Sequence, residues 1–337
     1  MHRDLIVIGA SAGGIEALQH LLAALPPDLP ASVLVVLHTS GRSSSLLPDI
    51  FGRASALKTS HPEDGERLKH GRVYIAPPDF HMLVQGNHIR VLQGPRENLH
   101  RPAIDPLFRS AAVSAGPRVI GVVLTGMLDD GTSGLMVVRA HGGVPIVQDP
   151  LTAMFSSMPR HALEQVPQAT VLPLEQIPAE LLRLVREELP EPPEPSERPG
   201  SLEEKETRLL ELEMPQMEND ERPGRPSGFA CPDCGGVLWE LEENGFLRFR
   251  CRVGHAFTAR NLNVEQQHAI ETALWSALRA LEESAALYKR LADRSTKSQQ
   301  SQSAERFQER AANTEQNARV LREFLVQVHQ GAEQAAD

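Results

Sequence analysis

Aromatic side chains are scarce in this chain, 4% of 337 residues, so its cores must be built mainly from aliphatic residues. Cysteine is scarcer still. The three present, Cys231, Cys234 and Cys251, crowd into one short region, which does not make a disulfide framework. No apolar run approaches the roughly 18 residues that a membrane-spanning helix requires, so no membrane insertion is expected. After Met1-His2-Arg3-Asp4 only Leu5–Ile8 is apolar before glycines follow. That pattern is a buried strand entering a turn rather than a signal peptide, and it predicts a cytoplasmic address. Positive charge is also lacking. The net charge is −10, and most of it belongs to residues 191–222, where 11 acids face 4 bases. Neither flanking part is basic, which argues against nucleic-acid binding by phosphate neutralisation.

Apolar residues nevertheless make up 41% of the chain, and its length exceeds one ordinary core, so two or three folded units are expected. In residues 1–189, Leu5–Ile8, Val33–Leu37, Val73–Ile75, Met82–Val84, Ile89–Val91, Val119–Leu124, Val144–Val147 and Thr170–Leu172 read as strands. Their lack of polar alternation marks strands covered on both faces. Helical patterns such as Ile15–Leu25, Pro106–Ala115 and Ser133–His141 lie between them. This βαβ succession predicts an α/β fold with an open, doubly wound, mostly parallel sheet. Val84-Gln85-Gly86-Asn87-His88 predicts one antiparallel hairpin.

Residues 190–227 hold eight prolines and the acid excess and read as a linker, with a transient helix over Leu202–Leu212. Residues 228–260 form a small Cys/His module. Residues 261–330, free of proline, read as a helical hairpin or coiled-coil pair, and 331–337 as a disordered tail. The expected seams are Ile270, Leu274, Ala277, Leu281, Ser284, Tyr288 and Leu291 on the first helix, and Phe307, Ala311, Thr314, Ala318, Leu321, Leu325 and Val328 on the second. Small residues make this a thin seam, which leaves a partner helix or self-association open.

A doubly wound sheet binds ligands beyond the carboxyl ends of its strands. Ser11 follows the first strand in Gly9-Ala10-Ser11-Ala12-Gly13-Gly14. Gly9 to Gly13 fits the G-x-S-x-G of a nucleophile elbow, and a helix starting near Gly14 would aim free N–H groups at the turn. A glycine-rich first turn also suits a dinucleotide phosphate, and Ser can simply cap a helix. On this string alone the nucleophile and phosphate readings stand level. The spacing, however, is not G-x-G-x-x-G, and the second strand ends in His38 where a dinucleotide-binding domain would carry an acid. A His there lies near the first turn and could take the Ser11 proton. Asp130 follows the strand Val119–Leu124 and could fix the tautomer of His38; Asp129 or Asp130 could equally cap the helix beginning near Thr132. The competing readings are a nucleotide-binding oxidoreductase and a non-catalytic regulator that docks through its Cys/His module and helices.

Several separated strings extend this pattern: Tyr74-Ile75-Ala76-Pro77-Pro78, Arg101-Pro102-Ala103-Ile104-Asp105-Pro106-Leu107-Phe108-Arg109-Ser110, Leu124-Thr125-Gly126-Met127 through Asp130-Gly131, and Met158-Pro159-Arg160. With the serine turn and His38, they make residues 1–188 resemble the catalytic domain of the chemotaxis CheB-type protein-glutamate methylesterases, over slightly more than half the chain. The resemblance implies an α/β/α sheet and a Ser11–His38–Asp130 triad that needs no cofactor. It implies hydrolysis of γ-glutamyl methyl esters on chemoreceptor signalling helices, releasing methanol, and in many members deamidation of receptor glutamines. It places the backbone of Met127 and Gly13 at the oxyanion. The partners implied are methylated chemoreceptor cytoplasmic helices, with the cognate receptor methyltransferase or other chemosensory proteins beside them. Ala12 stands where the family often has Thr, and Leu128 where it commonly has Gly. The first strand starts near Asp4, so this reading leaves no room for the family's N-terminal receiver domain and expects no control through one.

Cys231-Pro232-Asp233-Cys234 and Cys251-Arg252-Val253-Gly254-His255 give C-x2-C-x16-C-x3-H. Two thiolates from one tight turn and a second knuckle complete a tetrahedral metal site, and four protein ligands would make zinc structural. A segment this small lacks a core of its own, so metal would stabilise it. A redox CxxC or a metal-free remnant is the alternative.

Overall fold

The structure, a computed structural model, describes residues 1–38, 46–189, 224–243 and 245–334. Most of the expected linker, with the Leu202–Leu212 helix, lies outside the described residues. The chain divides into two compact units, Met1–Leu262 and Asn263–Asp337. No helix among the described residues is long and apolar enough to cross a membrane.

The first unit opens with nine strands: β1 (Leu5–Ala10), β2 (Ser32–Leu37), β3 (Lys58–Ser60), β4 (Arg72–Ile75), β5 (His81–Gln85), β6 (His88–Leu92), β7 (Val119–Val123), β8 (Val144–Gln148) and β9 (Thr170–Leu172). Six helices are interspersed: α1 (Gly14–Ala23), α2 (Leu47–Ala54), α3 (Ile104–Ala115), α4 (Thr132–Ala140), α5 (Ser157–Gln165) and α6 (Ile177–Leu184). Seven strands form one parallel sheet in the order β3-β4-β2-β1-β7-β8-β9. The predicted parallel α/β sheet is therefore present. Its β1 is buried at every position: Ile6 and Ile8 pack in one core, Leu5 and Val7 in the other. That is why the strands read as unbroken apolar runs. The hairpin β5–β6 stands apart as its own two-stranded sheet. It is tied to α3 where the Val84 N–H donates to Ser110 Oγ at 3.0 Å. The chain leaves β1 first toward β2 and later returns to β7 on its other side. This reversal leaves the crevice at the carboxyl ends of β2, β1 and β7 as the place for a site.

The Cys/His region is a four-stranded antiparallel sheet: β10 (Arg225–Ala230), β11 (Val237–Glu243), β12 (Phe246–Cys251) and β13 (Ala256–Thr258). The β10 strand starts inside the segment expected to be linker, because Arg225 pairs with Glu240 across the strands, backbone to backbone and at 2.7 Å side chain to side chain. Leu238, Phe249, Phe257 and Leu262 form a small core with Cys231 and Cys251, and Leu99 packs against it from the large sheet's side.

Two long helices complete the chain, α7 (Ala259–Lys297) and α8 (Ser301–Gln334). They extend past the expected hairpin at both ends, and α8 runs into the segment expected to be a disordered tail. Within the second unit they pair antiparallel, with Lys289 against Glu315 and Glu282 against Arg322. The α8 seam is as expected through Leu325, while the Val328 side chain lies outside the described residues. The α7 seam is half-buried as expected at Leu274, Leu281, Ser284, Tyr288 and Leu291 and departs from the expectation at Ile270 and Ala277, which are exposed; Leu278, Ala285 and Ala292 are the fully buried residues beside it. The adjacent pairs Ala277-Leu278, Ser284-Ala285 and Leu291-Ala292 let the 4-3 steps fit two faces one residue apart.

Candidate active site

Three neighbouring strands deliver the three expected polar residues to one place. Ser11 follows β1, with its N–H donating to the Thr125 carbonyl at 3.0 Å. His38 follows β2, with its N–H on the Ala10 carbonyl at 3.1 Å. Asp130 stands in the loop between β7 and α4. Ser11 Oγ lies 3.2 Å from His38 Nδ1, and His38 Nε2 lies 2.8 Å from Asp130 Oδ2. The serine faces Nδ1 and the acid Nε2, the reverse of the familiar serine-protease arrangement, but both nitrogens are engaged in the same relay. Neither capping alternative is realised. Gly13, at φ 71°, occupies the N-cap of α1 and Gly131 that of α4, so neither cap residue offers a side chain.

Asp130 is held from all sides. His38 Nε2 and the Ile104 N–H (2.6 Å) donate to Oδ2, while Asn98 Nδ2 (2.8 Å), the Gly131 N–H (3.0 Å) and the Asp105 N–H (3.3 Å) donate to Oδ1. Burial would raise its pKa, but the His38 hydrogen bond and charge, with Ile104 and Asn98, outweigh it and hold the carboxyl at about 2. Asp130 is therefore ionised at neutral pH. Its neighbour Asp105 goes the other way. Burial and then the Asp130 charge push it up to about 8. Two buried carboxyls share the two N–H donors of one amide, since Asn98 Nδ2 also donates to Asp105 Oδ2 at 2.8 Å. Asp105 Oδ1 in turn accepts the Gly134 N–H at 2.6 Å, satisfying the first turn of α4 from a distance.

The His38 ring stacks on the His100 ring, with centroids 3.6 Å apart and planes at 15°. Burial, then the charge of His38, lowers His100 to about 3, so a neutral ring supports the base. Gly126 packs directly on the serine: a Cβ there would lie 2.9 Å from Ser11 Cβ. The next residues are Met127, 56% exposed, and Leu128, whose φ of 62° puts a γ-branched residue in the left-handed region. The N–H groups of Met127 and Gly13 donate to no other described residue. Exposed Met154 and Phe155 lie against Gly13, so with Met127 they give the serine turn an apolar rim.

The four metal-ligand candidates also meet. The ligand atoms of Cys231, Cys234, Cys251 and His255 lie within 4.8 Å of one another. Cys234 Sγ is 3.7 Å from Cys251 Sγ, and His255 Nδ1 is 3.7 Å from Cys231 Sγ and 3.5 Å from Cys251 Sγ. A tetrahedral zinc with ordinary bond lengths separates its sulfurs by about 3.8 Å and sulfur from nitrogen by about 3.6 Å. The donor set therefore fits such an ion. The other ring nitrogen, His255 Nε2, faces Asp233 Oδ2 at 3.8 Å.

Sequence reasoning did not single out Asn98 or His100, and met Asp105 only inside a matched string. All three stand between β6 and α3 or at its start. The signal available was the pairing of an Asn and a His just ahead of Arg101-Pro102.

The model of the CheB methylesterase family matches residues 6–181. A relative from Leptospira interrogans is 39% identical over 185 residues, 55% of this chain and 96% of its own length. Relatives from Anaeromyxobacter dehalogenans (41% identical) and Chromohalobacter salexigens (40% identical), both named protein-glutamate methylesterase/protein-glutamine glutaminase, match 54% and 53% of this chain. The chain spans about half, 51%, of each of these two. The crystal structure of the Thermotoga maritima CheB methylesterase catalytic domain superposes with a TM-score of 0.53 and 35% identity, covering all of that chain and 55% of this one. The family match ends ahead of the Cys/His module and the helical hairpin.

Proposed function

The chain belongs to the CheB methylesterase family, and from that premise we propose that Ser11, His38 and Asp130 hydrolyse γ-glutamyl methyl esters on chemoreceptor cytoplasmic helices. The observation that carries this is the unbroken relay from Ser11 Oγ through His38 to an Asp130 that is both buried and ionised. His38 Nδ1 takes the serine proton as Oγ attacks the ester carbonyl. The tetrahedral oxyanion is received by the N–H groups of Met127 and Gly13. Collapse breaks the C–OMe bond, and His38 returns its proton to the departing methoxide, which leaves as methanol. Water, activated by the same imidazole, then cleaves the acyl-serine to free the glutamate. The same steps with an amide would release ammonia from a receptor glutamine. An exposed apolar rim of Met127, Met154 and Phe155 suits a helix-borne ester better than a small soluble one.

We further read residues 1–189 as the catalytic unit, followed by an acidic linker, the Cys/His module and a helical hairpin. Cys231, Cys234, Cys251 and His255 would hold a structural zinc. Such an ion supplies cross-linking of two loops and leaves no open position for substrate. Exposed Val320 and Phe324, one turn apart on α8, favour self-association through the hairpin. A cytoplasmic address accords with a substrate on receptor cytoplasmic helices. The deciding experiment is methanol release from purified methylated receptor by the full chain and by Ser11→Ala. Turnover that survives Ser11→Ala would overturn the reading.

A further inference from the structure

The Cys/His module docks on the loop that carries Asn98, and it does so with backbone. The Asn98 N–H donates to the Ala256 carbonyl at 2.8 Å, and the Ala256 N–H donates to the Arg96 carbonyl at 3.2 Å. Asn98 and Leu99 both sit at positive φ, 49° and 72°, a pair of non-glycine residues in the left-handed region that needs outside support. Leu99 finds it in the module's core. Around this strip buried side chains pair across the contact. Arg250 Nη2 meets Glu97 Oε1 at 2.7 Å, and Thr258 Oγ1 (2.9 Å) and Asn261 Nδ2 (2.7 Å) both donate to Asp129 Oδ1.

One contact in this interface reaches the proposed triad. The Thr258 N–H donates to Asn98 Oδ1 at 3.1 Å. The two ends of an asparagine amide are nearly the same shape, and only their partners decide which end points where. With Oδ1 claimed by Thr258, Nδ2 must face the carboxyls of Asp130 and Asp105, each 2.8 Å away. Asp130 Oδ1 is thereby occupied, and Oδ2 is left for His38. Thr258 lies three residues past His255, so the second metal knuckle sets its place.

We propose that Asn98 is a positioning residue for Asp130, and that the metal-loaded Cys/His module is what holds its amide in the productive orientation. This rests on the reading of Ser11, His38 and Asp130 as a triad. It gives the module a task in the esterase reaction itself, separate from any contact with receptor. Zinc bound to the four ligands and catalysis at Ser11 are then linked through two hydrogen bonds, Thr258 N–H to Asn98 Oδ1 and Asn98 Nδ2 to Asp130 Oδ1.

The test uses the full chain and two probes of the serine. A fluorophosphonate reports the reactivity of Ser11 without receptor docking, and methanol release from methylated receptor gives kcat and KM. Zinc is counted with a chromogenic chelator. Asn98→Ala should keep its zinc and lower both the labelling rate and kcat by about 10- to 100-fold, with KM within about twofold. Withdrawing zinc from the parent chain should lower labelling by a similar factor. Withdrawing zinc from Asn98→Ala should add little, because both changes cut the same connection. Losses that multiply when Asn98→Ala and zinc removal are combined, or labelling unchanged in either alone, would overturn the proposal while leaving the hydrolase reading intact. A parent chain that is not labelled at Ser11 at all would sink both.

Discussion

Replacing Asp130 by Asn tests the relay at its most constrained point. The carboxylate accepts five donors, two on Oδ2 (His38 Nε2 and the Ile104 N–H) and three on Oδ1 (Asn98 Nδ2 and the N–H groups of Asp105 and Gly131). An amide must turn its NH2 toward one set. Facing three donors is worse than facing two, so the NH2 should settle on the Oδ2 side. There it donates to His38 Nε2, which forces the ring proton onto Nδ1. That nitrogen then cannot take the Ser11 proton. Fluorophosphonate labelling and methanol release should both fall by about 10³- to 10⁴-fold at neutral pH. The Ile104 N–H, 2.6 Å from Oδ2 in the parent, loses its acceptor, at a cost to folding of about 1–3 kcal/mol. Relief of the neighbouring Asp105 offsets part of this, because the Asp130 charge is the second cause of its raised pKa. The prediction is therefore a large kinetic loss with a modest drop in Tm. An Asp130→Asn chain labelled within threefold of the parent would refute the tautomer reasoning.

Asp105 gives a pH signature of its own. A carboxyl whose folded pKa is raised to about 8 contributes stability that is present below the ordinary carboxylate range and lost as pH rises toward 8. Tm of the parent should therefore fall between pH 5 and 8 relative to Asp105→Asn; identical pH slopes in the two chains would contradict the assignment. Gly126→Ala would put a Cβ 2.6 Å from the flexible Met158 Cε but 2.9 Å from Ser11 Cβ, which cannot yield. Labelling should drop about 10- to 100-fold with little change in Tm, and parent-like labelling would show that the loop has slack. Cys251→Ser should abolish stoichiometric zinc binding; retention of one zinc per chain would remove Cys251 from the ligand set.

The large sheet was legible because strands covered on both faces must be apolar throughout, and Leu5–Ile8 or Val119–Leu124 have no other good place. The edge strand Lys58–Ser60 was not, since three polar residues carry no pattern. Ser11, His38 and Asp130 could be found because each ends or follows a strand of strong signal, and the topology then brings strand ends together. Asn98 and His100 stand on a loop shaped by tertiary contacts, one of them with Thr258, 160 residues away. Nothing local to Glu97-Asn98-Leu99-His100 announces such a partner. The helical seam was half legible for a related reason: Leu274, Leu281 and Tyr288 specify a stripe, while the pairs Ala277-Leu278 and Ser284-Ala285 between them do not choose its exact bearing.

Glu97 lies 2% exposed between Arg109 of α3 and Arg250 of β12, 3.0 and 2.7 Å from their Nη2 atoms. An arrangement of that kind ties the histories of two segments together. Losing the acid would remove the carboxylate that both guanidiniums face, and losing the module's arginine would take one of those two charges away from a buried acid. A substitution at 97 is therefore expected to be felt at 250, and the reverse. A foreign module grafted onto this catalytic unit would need a cation at the place of Arg250 to meet Glu97.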